Sequence, residues 1–411
     1  MPDEVRRVAR PRLYHTKSRT GCARCRSRRV KCNEARPVCN NCHRHSVSCE
    51  YDRVPGAEAG VLVPSSPPSS TGSRSTGSST RSSTLAPALN AEFQGQEFAT
   101  AQHEYWKLRV FHNFTVATSD TLPGSHIPAV KDCWTLQVPI LALDHSSLLN
   151  AILAISALHL ITSGHSDHGL CSYRNMSLNA ALETHREALS NVREQETADA
   201  ACFTSILLLF DSFASLRHRP LDGTYEPPVQ WLRLTHGVRC VLEAVYPLVQ
   251  PTGLKSPASI TAIITSFKQD RYLSGQDSTD RFSYLLQPLP DEIPVCRETL
   301  EAYRQAVSLL DAIEAAVESG EPARALSRGL MSFASLVPER FLRLVEANDA
   351  RALVILAHLF ALCAYARDLW WVGDTPHREV LAIGNHLPLT MKYLVEWPQS
   401  LVTKIYVTDK S

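Results

Sequence analysis

A repeated cysteine spacing near the N-terminus, a serine-rich stretch after it, and apolar residues recurring every three or four positions thereafter predict two unlike folding units. The expected architecture is a small metal-stapled α module joined by a disordered linker to a large all-α domain. At 411 residues with 44% hydrophobic side chains, the chain can hold one sizeable core plus a smaller module. The net charge of +1 hides an asymmetry. Residues 1–53 carry 14 Lys/Arg against 5 Asp/Glu, which leaves 28 against 36 for the rest. A basic head on a mildly acidic body points to a polyanion partner for the head, nucleic acid being the commonest.

Residues 1–20 are basic and polar and contain no apolar stretch of the kind a secretory signal needs, so the chain is expected to stay inside the cell. That compartment argues against a disulfide framework. The most apolar stretch, ALVILAHLFALCAYA between Arg351 and Arg367, falls short of the roughly 20 residues that cross a bilayer. It reads as a buried core helix, and no membrane span is expected.

Six of the twelve cysteines follow the pattern Cys22-x2-Cys25-x6-Cys32-x6-Cys39-x2-Cys42-x6-Cys49. This is one half-motif, C-x2-C-x6-C, written twice, and a repeated ligand spacing is far harder to reach by chance than a single C-x2-C. Zinc takes four ligands in a closed structural site, so six thiolates are too many for one ion and two short for two separate ions. Two thiolates that each bridge both ions fill all eight positions. Two Zn2+ per chain, with no open position for a reactive water, is the count this implies. His43 and His45 lie within the module but are surplus to it, because the cysteines already complete both tetrahedra.

Residues 20–51 resemble the fungal binuclear-cluster family of transcription regulators, the Zn2Cys6 zinc cluster, with every ligand position of the family pattern present. The resemblance implies that Cys22 and Cys39 are the bridging pair, with Cys25 and Cys32 completing one zinc and Cys42 and Cys49 the other. Between the second and third ligands lies Arg26-Ser27-Arg28-Arg29-Val30-Lys31, expected on a short helix started by Cys25. Cations on a helix end suit the roughly 12 Å major groove, where Arg or Lys reads the O6/N7 edge of guanine and neighbours neutralise phosphates. By resemblance, Arg29, where the family often carries Lys, reaches the bases of a CGG-type triplet. Arg28 stands beside it, and Arg26 and Lys31 sit nearer the DNA backbone.

Further cations flank the module. Arg19, Arg24, Arg36 and Arg44 are candidate phosphate contacts, and Arg6, Arg7, Arg10, Arg12 and Lys17 form a basic disordered arm over 1–17 that also suits nuclear import. The DNA-binding module spans 18–53. A Ser/Pro-rich linker follows over 54–95, whose residues 65–84 hold ten Ser, four Thr, two Pro and two Gly and cannot build a core. Twenty such residues span on the order of 25 Å. Residues 50–100 show no heptads, and Pro55, Pro64, Pro67, Pro68 and Pro87 interrupt any coiled coil. Monomer and homodimer both stay open.

The body, 96–411, reads as all-α, with helical periodicity in 98–118, 146–163, 174–194, 198–216, 229–247, 297–318 and 349–372 and no alternating strand pattern. Gly164, the run Gly320-Glu321-Pro322, and a capping Asp349 supply stops and starts. A looser segment is expected near 248–292, where Pro251, Pro257, Pro288 and Pro290 accumulate. His159 and His358 lie on apolar helices and read as hydrogen-bonded core residues. Cys133, Cys171, Cys202, Cys240, Cys296 and Cys363 read as small core residues, and Trp370-Trp371 as aromatics closing the core.

WTLQVPILALDHSSLLNAILAISALHL and RALVILAHLFALCAYARDLWW resemble the regulatory domain of the sterol-uptake-control group of fungal zinc-cluster regulators, although VGDTPHRE after Trp371 departs from that pattern. The resemblance implies a body that contacts transcription machinery and admits a small apolar ligand. The function expected is therefore a nuclear, sequence-specific DNA-binding transcription factor of RNA polymerase II genes, controlling a metabolic pathway such as a secondary-metabolite cluster or sterol and lipid genes. A zinc-stapled protein-interaction module is the alternative, and four cations between Cys25 and Cys32 argue against it. An enzyme is not expected: the sequence carries no phosphate-binding Gly loop, HExxH or GxSxG.

Overall fold

The computed structural model describes residues 21–28, 30, 32–35, 37–45, 47–51, 101–165, 167–190, 195–221, 223–245, 260–268, 280–288 and 295–407. The basic arm at 1–17, the linker at 54–95, and Arg19, Arg29, Lys31 and Arg36 lie outside the described residues. The rest falls into two compact units, one within Met1–Ser82 and one within Ser83–Ser411. Among the described residues there is no strand.

The N-terminal unit holds two one-turn helices, α1 (Ala23–Ser27) and α2 (Asn40–Arg44). The expected helix after Cys25 is displaced. It starts before that residue because the Cys22 side chain caps it, and it is over by Arg28.

The C-terminal unit opens with α3 (101–113), which runs on through a π turn (Phe114–Thr118) and a 3-10 turn (Ser119–Thr121). Then come α4 (Pro128–Asp132), a second π turn (Cys133–Gln137), α5 (Val138–Asp144) and α6 (Ser146–Thr162). Gly164, at φ +94°, takes the left-handed conformation that ends α6. Next are α7 (His168–Ser190), α8 (Gln195–Ser215), α9 (Val229–Val245) and α10 (Thr261–Lys268). The 3-10 segment Asp280–Leu286 leads to α11 (Arg297–Glu318), and Gly320, at φ +73°, turns the chain into α12 (Ala323–Leu336). Last are α13 (Glu339–Glu346), α14 (Ala350–Cys363), α15 (Thr375–His386) and α16 (Glu396–Val407).

Two helices are apolar around most of their circumference and are buried accordingly. α6 packs against α5, α7 and α8; α14 is wrapped by α11, α12, α13, α15 and α16, and every residue from Arg351 to Cys363 is buried. The stretch that reads as 349–372 stops being α-helical at Cys363, where a 3-10 turn takes over. The stretch at Thr197–His218 is long and apolar enough to cross a membrane, and 83% of its most apolar window is buried inside the unit, which makes it a core helix.

Parts of the segment expected to be loose are held in place. Asp199 Oδ1 accepts from the Ile260 backbone N–H at 2.8 Å ahead of α10, and Ile260 and Ile263 are buried. Farther on, Asp311 accepts from the Phe282 N–H at 3.0 Å, and Arg351 donates to the carbonyls of Leu285 and Gln287. The Tyr284 hydroxyl lies 2.8 Å from His358 Nε2. Local periodicity could not show this, because the partners lie on distant helices.

His358 also contacts the Val354 carbonyl through Nδ1 at 2.8 Å and stacks on Trp397. His159 meets Thr118 Oγ1 at 2.9 Å and stacks on Trp370. Burial pulls both imidazoles down to about 4, so each is neutral at pH 7. Both Trp370 and Trp371 donate to Thr121, fastening α14 to the start of the unit. Of the six scattered cysteines, Cys133, Cys202 and Cys363 are buried, whereas Cys171 is half-buried and Cys240 and Cys296 are exposed, contrary to the core assignment. The latter two lie on the outer side of α9 and just ahead of α11.

Asp349 caps α14 through the Ala352 N–H at 2.9 Å and accepts from the Tyr303 hydroxyl at 2.7 Å. Asp349→Ala is expected to cost roughly 1–3 kcal/mol in urea unfolding followed by circular dichroism. An unchanged midpoint would mean that neither bond stabilises the fold.

Candidate metal centre

The two halves of the cysteine motif fold into two equivalent corners. Cys22 and Cys39 sit at the N-caps of α1 and α2, and each Sγ accepts the N–H of the cysteine three residues on, Cys25 and Cys42, at 3.4 Å. The equivalence extends to the third cysteine of each half. The Cys22 N–H points to Cys32 Sγ at 3.5 Å, and the Cys39 N–H points to Cys49 Sγ at 3.2 Å. Backbone N–H groups aimed at sulfur favour the thiolate.

The sulfurs converge into two groups of four, Cys22–Cys25–Cys32–Cys39 and Cys22–Cys39–Cys42–Cys49, within each of which all ligand atoms lie within 4.8 Å of one another. Cys22 and Cys39 belong to both groups and stand 3.8 Å apart. Cys22 lies 3.7 Å from Cys42, and Cys25 lies 3.5 Å from Cys39. A tetrahedron of sulfurs around zinc at about 2.3 Å has edges of about 3.8 Å, so both groups fit a four-sulfur site.

The electrostatics of the bare thiols favour a metal. Burial pushes the Cys42 thiol up to about 12 and raises those of Cys22 and Cys25, while the Cys42 N–H pulls Cys39 down to about 6. A dication removes this frustration by binding thiolates in place of protons.

Around the sulfurs, Asn41 Nδ2 donates to Cys25 Sγ at 3.8 Å, and the Tyr51 hydroxyl lies 3.6 Å from Cys32 Sγ and 3.0 Å from the Ala35 carbonyl. Spacing does not reveal these two side chains. The capping role of Cys22 and Cys39 does have a signal, since a side-chain acceptor three residues before the next ligand is the pattern of a helix N-cap. His43 and His45 are exposed and belong to neither group. Of the candidate DNA contacts, Arg26 is half-buried on α1 and Arg28 is exposed at its C-cap. Arg24 and Arg44 are exposed as well, whereas Arg29 and Lys31 lie outside the described residues.

Two closed four-sulfur sites that share two cysteines and lie among surface arginines define a binuclear zinc-cluster protein. Residues 20–57 match the fungal Zn(2)-Cys(6) binuclear cluster domain. The Zn(2)-C6 fungal-type transcription factor afumD of Aspergillus fumigatus is 39% identical over 348 residues, 85% of this chain and 86% of that protein. A Zn(2)-C6 fungal-type transcription factor of Gibberella zeae is 28% identical over 94% of this chain and 86% of its own length. The sterol uptake control protein 2 of Candida albicans is 54% identical over 144 residues, 35% of this chain and 20% of that protein. The chain belongs to the fungal Zn(2)-C6 transcription factors: it is a DNA-binding regulator, not an enzyme, and its cluster domain binds two zinc ions.

A shared ligand and an unshared one should behave differently. Cys39→Ser is expected to lose both zinc ions and Cys49→Ser only one, counted by atomic emission on dialysed protein. Two zincs retained in Cys39→Ser would remove the shared assignment.

Proposed function

We propose that this chain is a nuclear, sequence-specific regulator of RNA polymerase II genes that recognises CGG-type triplets through its zinc cluster. Cys22 and Cys39 bridge the two ions, Cys25 and Cys32 complete one site, and Cys42 and Cys49 complete the other. The zinc ions supply rigidity and charge, and the protein's side chains do the reading. The observation that carries this is the pair of sulfur groups meeting at the caps of α1 and α2, from which Arg24 and Arg28 project into solvent. On this reading Arg29 reads bases with Arg28 beside it, and Arg26 and Lys31 hold phosphates.

Selection of duplexes from a random pool by the zinc-loaded full-length protein tests the reading. A CGG-like triplet should be enriched, and binding should weaken steeply with salt as phosphates are neutralised. Arg29→Ala should cost roughly 1–3 kcal/mol at the preferred site and flatten base discrimination. Two zincs with no enriched sequence would favour a protein-interaction module instead.

A specific observation supports a second element, a small apolar ligand in the body. α8, α9, α10 and α12 border a half-open pocket of about 490 Å³ lined by Trp134, Ile206, Leu209, Phe210, Val238 and Met331. The Arg239–Glu243 ion pair at 2.7 Å lies at its edge, with Arg239 also donating to the Ser335 carbonyl. Such a volume and lining suit a compact lipid-like molecule with a small polar end. Regulation of a sterol, lipid or secondary-metabolite pathway follows from that ligand class and from the partial likeness to sterol uptake control proteins. An environment-sensitive apolar dye should bind and be displaced by the physiological ligand. Leu209→Trp, which fills the cavity, should lower dye affinity at least tenfold with the zinc count unchanged; equal binding would empty the cavity of function.

A further inference from the structure

The two halves of the cysteine motif are tied across to each other in matching ways. The residue after each third cysteine holds the first N–H of the other half's helix. The Glu50 carbonyl accepts from the Ala23 N–H at 2.8 Å, and Asn33 Oδ1 accepts from the Asn40 N–H at 2.8 Å. One residue farther on the match ends, because the first half carries Glu34 where the second carries Tyr51. Glu34 stands at φ +57°, a left-handed conformation uncommon for a residue with a side chain, and its N–H points back to Cys32 Sγ at 3.4 Å. The half-buried Tyr51 crosses to this same turn: its hydroxyl donates to the Ala35 carbonyl at 3.0 Å and lies 3.6 Å from Cys32 Sγ.

Asn41, on α2, makes the comparable contact with Cys25, its Nδ2 donating to that sulfur at 3.8 Å. Cys25 and Cys32 are the two sulfurs that the Cys22–Cys25–Cys32–Cys39 group does not share with the other group. Each of them therefore meets a side chain supplied by the second half of the motif. The ligand spacing makes the two sites equal, and these contacts make them unequal.

We propose that Tyr51 and Asn41 are positioning residues for the zinc held by Cys22, Cys25, Cys32 and Cys39, and that this ion is the slower of the two to leave. Polar groups that touch a ligating atom fix its direction, and removing one typically costs about 10–100-fold in metal affinity. The turn at 32–35 adds a mechanical part. Glu34 keeps an unfavourable backbone conformation only while its surroundings hold it, and release of that turn would draw Cys32 off the metal. Exposure acts in the same direction: Cys25 and Cys32 are buried, whereas Cys49 of the other site is only half-buried and more open to a competing ligand. The run Arg26–Lys31 lies between Cys25 and Cys32 in the sequence, so the ion that leaves last is the one that anchors both ends of the segment proposed to contact DNA.

Chelator competition on the zinc-loaded full-length protein tests this. The wild type is expected to release its zinc in two steps. Iodoacetamide trapping of the freed thiols, read by peptide mass spectrometry, should find Cys42 and Cys49 modified in the first step and Cys25 and Cys32 in the second. Release of both ions in a single step, or trapping of Cys25 or Cys32 first, would overturn the proposal, and this order is read on the wild type whether or not a variant folds. Tyr51→Phe, which keeps the ring beside the sulfurs, should speed the second step about tenfold with two zincs bound at the outset, and Asn41→Ala should act in the same direction. A second step within about twofold of wild type in both variants would equally overturn it. Cadmium exchanged for zinc separates positioning from general loosening. In Tyr51→Phe the cadmium NMR resonance correlated with the Cys32 β protons should move farther than the one correlated with the Cys42 β protons, and equal or no movement would leave Tyr51 a packing role alone.

Discussion

Sulfur is the core of the DNA-binding unit. Among its described residues the buried apolar side chains are Cys22, Cys25, Cys32, Cys39 and Cys42, with Cys49, Val47 and Tyr51 packed against them. A unit this small buries too little apolar surface to offset its conformational entropy. Its fold therefore rests on closure of two metal sites, and metal affinity is folding free energy here. The orientation of α1, and with it the direction in which Arg24 and Arg28 leave the surface, depends on the Cys22 and Cys25 sulfurs remaining thiolates. Protons compete for those sulfurs, so the unit loses metal, and then structure, as pH falls.

The helical body obeys a different constraint. α14 is buried on all sides, which forces apolar faces on α11, α12, α15 and α16 and leaves polar residues on it only where a partner waits. Arg351 and His358 are those residues, and both face the 280–288 segment: Arg351 binds two of its carbonyls and His358 meets the Tyr284 hydroxyl. A non-periodic, proline-flanked segment is thereby ordered by polar groups projecting from the most apolar helix of the chain. The neutral state of His358 fits this arrangement: Nδ1–H donates to the Val354 carbonyl, Nε2 accepts from the Tyr284 hydroxyl, and burial disfavours the charged ring.

What could be read from the sequence follows how local each interaction is. The cysteine count and spacing carry the zinc stoichiometry because ligand number is a property of the ion and the corners are three-residue turns. Helices α6, α8, α9, α11 and α14 are legible because their apolar residues recur with helical spacing. α12 and α13 are entered through prolines at their N-caps, Pro322 and Pro338; the run Gly320-Glu321-Pro322 marks the start of the first, whereas the eight residues of α13 are too few for periodicity to mark it. The pocket and the clasp on 280–288 are invisible in sequence, because each is assembled from residues on different helices. The exposure of Cys240 and Cys296 belongs to the same class: apolar neighbours in sequence do not establish which side of a helix faces inward.

The charge asymmetry can be weighed in the same physical terms. The body's excess of eight acids is spread over a surface on the order of 13,000 Å² for a domain of that mass, about one excess charge per 1,600 Å². Duplex DNA presents one phosphate per about 1.7 Å of axis. With a screening length near 8 Å at physiological salt, so dilute a field cannot compete with DNA for the cations around the zinc cluster. Charge alone therefore separates DNA from a mildly acidic protein surface as a partner for those cations. The described residues of the body add a half-open apolar pocket, a surface that selects by shape and apolar area rather than by net charge.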